Sequence, residues 1–169
     1  MPPGRHYDDI SVGDEQLTPR VTVTESHVLT YAGVSGDFSA LHLDETYAAD
    51  TEFGGRIAHG LLGLTLTDGL KVQSGYFQTG VALGWSWNFR APIRIGDTLQ
   101  VRFRVESARV SRSRPHMGIL TVAVSLLNQR GEVVGDGEHR LMVPRRPDAT
   151  GANQEQDQGT DPCAPGRTA

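Results

Sequence analysis

The sequence contains a single cysteine, Cys163, so no disulfide can close within the chain and a metal–thiolate cluster lacks its ligands. Cys163 lies in a polar stretch and reads as an inert, exposed thiol. Basic charge is also scarce. Against 16 lysines and arginines stand 20 aspartates and glutamates, a net charge of -4, which gives no electrostatic reason to bind nucleic acid. No apolar run is long enough to span a bilayer, and the opening Met1 to Asp9 lacks the apolar centre of a secretory signal. A cytoplasmic protein with no membrane partner is expected. The Gly-rich phosphate loop, the dinucleotide fingerprint and the Gly-x-Ser-x-Gly elbow are all missing, and with them the usual grounds for a redox cofactor or a serine hydrolase. His42-Leu43-Asp44 and His59 lack the His-x-x-x-His spacing of a metal site, and no metal is expected.

What is present suffices for one core: 37% of the 169 residues are apolar. Residues 1–18, rich in Pro, Gly and charge, read as an arm laid over the surface. Residues 19–145 form the folded domain, and 146–169 a polar tail too poor in apolar residues to order itself. Regular structure is expected to start near Arg20, where Val21 and Val23 alternate with Thr22 and Thr24. Thr24 then caps a helix through His27, Val28, Tyr31 and Ala32, and Asp44 caps a second short helix, Glu45 to Asp50.

From Ile57 to about Val72, leucines and isoleucine go most of the way round a helical wheel, which places this helix in the middle of a core. The second half reads as sheet. Val81, Leu83, Trp85, Trp87 and Phe89 alternate with small or polar residues, and Leu99, Val101, Phe103 and Val105 repeat the pattern. Ile119 to Leu127, apolar on both faces, should lie centrally; Asn128 to Gly131 is a hairpin turn leading to the last strand, Glu132 to Val143. Gly135 and Gly137 within that strand suggest a bulge or sharp bend. The pattern is α+β, one sheet covered by helix.

The chemistry concentrates in Ser35 to His42 and in Ile57 to Leu62. Asp37 and His42 lie five positions apart, a spacing that separates side chains in a regular helix or strand, so a loop must curl to bring them together. Gly36 supplies freedom for that bend. A carboxylate and an imidazole on one bound water supply a base and an acid in one site. The bland alternative is a loop-capping aspartate beside a structural histidine, and His59 reads as a structural hydrogen-bonder. Gly60, near the start of the apolar helix, marks a close approach to the backbone, either by a ligand or by the packed sheet.

Tyr31 to Ala48 resembles the signature of the MaoC-like, (R)-specific enoyl-CoA hydratases: Gly36-Asp37, His42 five residues on, and Ala48 six beyond that. His59-Gly60 is similar to the family's His-Gly step at the start of its central helix, and the likeness runs from about Val21 to Val143. Ser39-Ala40 stands where many members have Asn-Pro, and Asp68 where some have a serine lining the site.

The resemblance implies a hot-dog fold, a curved antiparallel sheet wrapped around the apolar helix, and a homodimer joined edge to edge. It implies reversible hydration of a 2-enoyl thioester to its (3R)-3-hydroxyacyl counterpart, catalysed by Asp37 and His42, with the Gly60 amide binding the thioester oxygen. No separate cofactor is called for: coenzyme A, or the pantetheine of an acyl carrier protein, belongs to the substrate. The basic turn Arg112, Arg114 and His116 is either a solvated loop or a contact for coenzyme A phosphates. A hot-dog thioesterase using Asp68, or a non-catalytic acyl-thioester-binding module with a decayed site, are the alternative readings. Asp68 pointing inward would suit a substrate with a donor or cation near its acyl end.

Overall fold

Residues 4–147 are described by a computed structural model; from residue 148 the expected tail, with Cys163, lies outside them. One five-stranded antiparallel sheet, in the order β1-β3-β4-β5-β2, is built from β1 (Glu15–Thr22), β2 (Val81–Phe89), β3 (Thr98–Val110), β4 (Met117–Leu127) and β5 (Val133–Pro144). Between β1 and β2 run α1 (Glu25–Ser35), α2 (Ala40–Leu43), α3 (Glu45–Ala49) and α4 (Gly60–Gln73). No helix among the described residues is long and apolar enough to cross a membrane.

Period-two patterning locates the later strands well. β2 has the expected bounds, and β4 lies at the sheet's centre with Leu120, Val122, Val124 and Leu126 buried on one face. Gly131, at φ +79°, donates its N–H to the Asn128 carbonyl at 3.0 Å and closes the turn into β5. Leu62 and Leu70 of α4 join Val101, Phe103, Val105 and Leu120 in the core, so α4 rests on the sheet.

Three expectations need correction. β1 starts at Glu15 rather than near Arg20, because Pro19 sits in an edge strand where the register slips between Leu17 and Arg20 and no ladder donor is required. The arm is also more than a surface strap: Ile10 is buried, Tyr7 packs against the core, and a side chain at Gly118 would run into the Tyr7 ring. α4 begins at Gly60 rather than Ile57, since Ile57 bridges Arg94 in extended form.

Nor is α4 covered all round within one chain. Leu62, Gly63, Thr67, Leu70 and Lys71 are buried, but Leu61 is 55% and Val72 67% exposed. β2 adds to this open side. It hydrogen-bonds only to β5 among the described strands and exposes Val81, Leu83 and Phe89.

The expected irregularity in β5 is a bulge. Leu126 faces Gly135 and Leu127 faces Val133, which leaves Val134 as the extra residue. The glycines answer a second demand: a side chain at Gly135 would meet the Trp87 indole, and one at Gly137 the Ser86 carbonyl.

Candidate active site

α1 ends at Gly36, which adopts φ +77° and donates its N–H to the Ala32 carbonyl at 2.8 Å. That left-handed step is cheap only for glycine, and it turns the chain out of the helix immediately before Asp37. The loop is then pinned by its own side chains. Ser35 Oγ donates to the Tyr31 carbonyl (2.7 Å) and accepts the Asp37 N–H (3.2 Å), while Asp37 Oδ1 accepts the Ser39 N–H (3.2 Å). Ser39 thus takes part in the loop's hydrogen bonding, and α2 starts directly after it.

His42, on α2, bonds through Nδ1 to the Ile57 carbonyl at 2.8 Å. A carbonyl only accepts, so Nδ1 carries the hydrogen and Nε2 presents a lone pair. That Nε2 lies 4.0 Å from Asp37 Oδ2. The distance is too long for a direct hydrogen bond and suits one water bonded to both. The imidazole is 11% exposed and the carboxylate 52%. The bend therefore brings together the two side chains that regular geometry would separate.

His59 supports them from below. Its Nε2–H donates to the Asp37 carbonyl at 2.9 Å, and its ring lies against that of His42 with centroids 3.8 Å apart. The Tyr31 ring also packs against His59, with centroids 5.0 Å apart. Its Nδ1 is buried with no partner among the described residues. His59 thus fixes the aspartate's backbone and buttresses the imidazole.

Gly60 opens α4, so its amide has no intrahelical acceptor and sits at the positive end of the helix dipole. Packing also demands glycine here, since a Cβ would come within 2.6 Å of the Phe89 ring. Asp37, His42, His59 and Gly60 share the wall of a cavity of about 610 Å³ with Trp87 and Phe89 of β2. Arg56 locks the surrounding frame by donating to Glu25 Oε1 at 2.7 Å and Glu45 Oε2 at 2.8 Å, which tie it to α1 and α3. Those bonds raise the guanidinium's pKa and lower that of Glu25.

Ligand-type atoms of Asp37, His42 and His59 fall within 4.8 Å of one another. Two of the four imidazole nitrogens are already committed to backbone carbonyls, His42 Nδ1 to that of Ile57 and His59 Nε2 to that of Asp37. Arg112, Arg114 and His116 lie in the β3–β4 turn, at the far end of the 13-residue β3 from the cavity wall at Ile93. From Leu126 of the same wall to Met117 beside the turn is roughly 30 Å along β4.

The hot-dog class is set by a comparison with a Mycobacterium tuberculosis protein described as having a double hotdog fold. The two agree with a TM-score of 0.73 at 22% identity, over 96% of this chain and 53% of that one. Residues 9–126 match the MaoC like domain. The chain belongs to that family. A crystal structure of the MaoC-like dehydratase from Rhodospirillum rubrum matches with a TM-score of 0.78 and 35% identity, over 85% of this chain and 99% of that one. Among curated relatives, a 3-hydroxybutyryl-CoA dehydratase of Methylorubrum extorquens is 33% identical over 85% of this chain and 87% of its own. An (R)-specific enoyl-CoA hydratase of Aeromonas caviae is 33% identical over 80% and 96%. Such enzymes are hydro-lyases, and this chain is one of that class.

Two placements differ from expectation or escaped it. Asp68 is absent from the wall of the 610 Å³ cavity; it is half exposed and pairs with Lys71 Nζ at 3.3 Å. Lys71 in turn lies within hydrogen-bonding reach of His139 Nδ1, and both are buried. His139 stacks on Trp85 with centroids 4.0 Å apart. Burial first, then the neighbouring Lys71, pushes the His139 imidazole down to about 4, while Asp68 opposes them. Burial likewise lowers the Lys71 pKa.

A histidine held below its unfolded pKa of about 6.5 contributes stability above that pH and loses it as pH falls through about 4, because the unfolded chain binds the extra proton. Chemical denaturation at stepped pH should show stability dropping by on the order of 3 kcal/mol over that window. In His139→Gln the drop should be distinctly shallower.

Proposed function

We propose that the chain adds water reversibly across the double bond of a 2-enoyl thioester, giving the (3R)-3-hydroxyacyl thioester, with coenzyme A or an acyl carrier protein as the thiol. One observation carries this reading: an imidazole lone pair and a carboxylate oxygen 4.0 Å apart, in the same cavity wall as Gly60, whose amide opens α4 without an intrahelical acceptor. The names of the relatives, an enoyl-CoA hydratase and a 3-hydroxybutyryl-CoA dehydratase, support it independently.

The reaction then runs on proton transfer alone. Water bridges His42 Nε2 and Asp37 Oδ2, its two hydrogens donated to the two acceptors. As the water oxygen bonds to C3, one of its protons passes to the pair, and the alkene electrons move onto the thioester oxygen. The Gly60 N–H, assisted by the helix dipole, stabilises that enolate oxygen. Collapse of the enolate takes the held proton onto C2, so one water has been added and both side chains are restored. Because the water and the returning proton come from one wall, hydroxyl and hydrogen arrive on the same face. The thioesterase alternative drew on Asp68, and the carboxylate's pairing with Lys71 away from this cavity leaves it without that support.

The open side of the chain suits a second copy. β2 offers a free edge flanked by Val81, Leu83 and Phe89, beside the uncovered Leu61 and Val72 of α4. Joining two such edges covers both.

Incubation with crotonyl-CoA should consume the enoyl-thioester absorbance without releasing thiol, and Asp37→Asn should slow this by about 10²–10⁴-fold. Thiol release in its place, or binding without turnover, would contradict the proposal. Light scattering should give a mass twice the chain's 18.3 kDa; a single-chain mass would contradict the pairing.

A further inference from the structure

The β3–β4 turn borders a hollow of about 420 Å³, lined by Arg109, Ser111, Arg112, Ser113 and Ile119. The turn is braced from within. Ser111 donates its N–H to the Met117 carbonyl at 2.9 Å, and Met117 donates its own to the Arg114 carbonyl at 2.8 Å. Ser111 Oγ accepts the Arg114 N–H at 3.2 Å, and Arg109 stands opposite Ile119 in the ladder that joins β3 to β4. Two arginines thus border one hollow on a fixed backbone frame.

Their charges are unanswered. Arg56, Arg90, Arg130 and Arg145 each hold a carboxylate oxygen at 2.7–3.0 Å. Arg109, Arg112 and the adjacent Arg114 form no ion pair among the described residues, and their guanidinium groups no hydrogen bond. Asp8 comes toward the turn through Arg145, which donates to Asp8 Oδ1 at 3.0 Å and to the Pro115 carbonyl at 3.5 Å, so its charge is already matched. The Ser111 hydroxyl is buried, and Ser113 Oγ, 3.5 Å away, is too far for a close O–H···O bond. Its hydrogen remains to be donated. In a chain of net charge -4 this cluster is not a sample of a generally basic surface, and like charges gathered without a counter-ion repel.

We propose that this hollow binds the phosphate group of a phosphate monoester. Such a group offers three acceptor oxygens and a charge of about -1.5 to -2 at neutral pH. The two guanidinium groups supply forked N–H donors and Ser111 a hydroxyl, so donors and charges are matched together. A carboxylate, with two oxygens and one charge, leaves one arginine unanswered. The phosphate belongs either to a free ester or to the nucleotide end of coenzyme A. The catalytic cavity of the same chain is roughly 30 Å away along β4, so a coenzyme A held here would serve a second copy. Arg109, Ile119, Met142 and Val81 form one row across the sheet, which ends at the start of the open β2 edge. When two such edges pair about a twofold axis, that end of one meets the Phe89 end of the other, beside its cavity. This source rests on the hydratase reading and on the pairing; the free ester rests on neither.

Calorimetric titration of the full-length protein with inorganic phosphate, adenosine 5′-monophosphate and adenosine 3′,5′-bisphosphate, with acetate as control, tests the site itself. Saturable binding of the phosphates is expected, at least tenfold weaker in Arg109→Gln and in Arg112→Gln, with acetate inert. Both positions are on the surface, and circular dichroism establishes that the variants are folded. Similar affinity for the two nucleotides, with the KM for crotonyl-CoA unchanged in the variants, supports the free ester. Preference for the bisphosphate, with a KM at least threefold higher in the variants for crotonyl-CoA but not for crotonyl-pantetheine, supports coenzyme A. No saturable binding of any phosphate, equal binding in the variants, or acetate binding as tightly would overturn the proposal. Failure to turn over any enoyl thioester would sink the hydratase reading instead, and the titration would still decide whether the hollow takes phosphate.

Discussion

The bond from His42 Nδ1 to the Ile57 carbonyl, 2.8 Å long, holds the site together. It joins the α2 turn to the extended segment entering α4, alongside the long backbone bond from the Ile57 N–H to the Leu41 carbonyl at 3.5 Å. It also decides the imidazole's tautomer, so that the free nitrogen is the one turned toward Asp37. His59 makes the complementary tie, from the start of α4 back to the Asp37 carbonyl. Together these bonds fasten the acid–base bend to the helix that carries the Gly60 amide. Without them the three groups would be neighbours in sequence motif only.

Much of this was legible in the residues. Alternation gave β2 its bounds and β4 its central place, and the glycine before Asp37 foretold the left-handed step that ends α1. The pairing of Asp37 with His42 came from the family resemblance of Gly36-Asp37, His42 and Ala48, since their spacing alone argues against contact. Other features depended on partners distant in sequence. That Gly60 must lack a side chain is decided by Phe89 on β2, and the Lys71–His139 contact spans 68 positions. A signal for that contact existed: Lys71 is a charge on the buried face of an otherwise apolar helix, and His139 shares its strand face with the buried Leu141. The all-round apolar pattern of α4 misled because it records surfaces buried in any context, and within one chain Leu61 and Val72 remain open.

α4 thus has two polar ends of different character along one apolar body. At its start a backbone amide without an intrahelical acceptor belongs to the wall of a cavity with an exposed carboxylate and a shielded imidazole. Three turns on, a buried ammonium and a second histidine stand where the helix would otherwise be plain core. Lys71 and His139 do not fit a contact selected for stability alone, because each carries a desolvated polar atom that hydrophobic residues of similar size would avoid.

The central claim is that one water is gripped from one side by Asp37 and His42 and delivers both its hydroxyl and its hydrogen to the same face of the alkene. Hydration of crotonyl-CoA in deuterium oxide, followed by assignment of the relative configuration at C2 and C3 from proton coupling in the product, tests this directly. The account predicts syn addition, with deuterium and hydroxyl on one face; anti addition or a mixture of the two would contradict it.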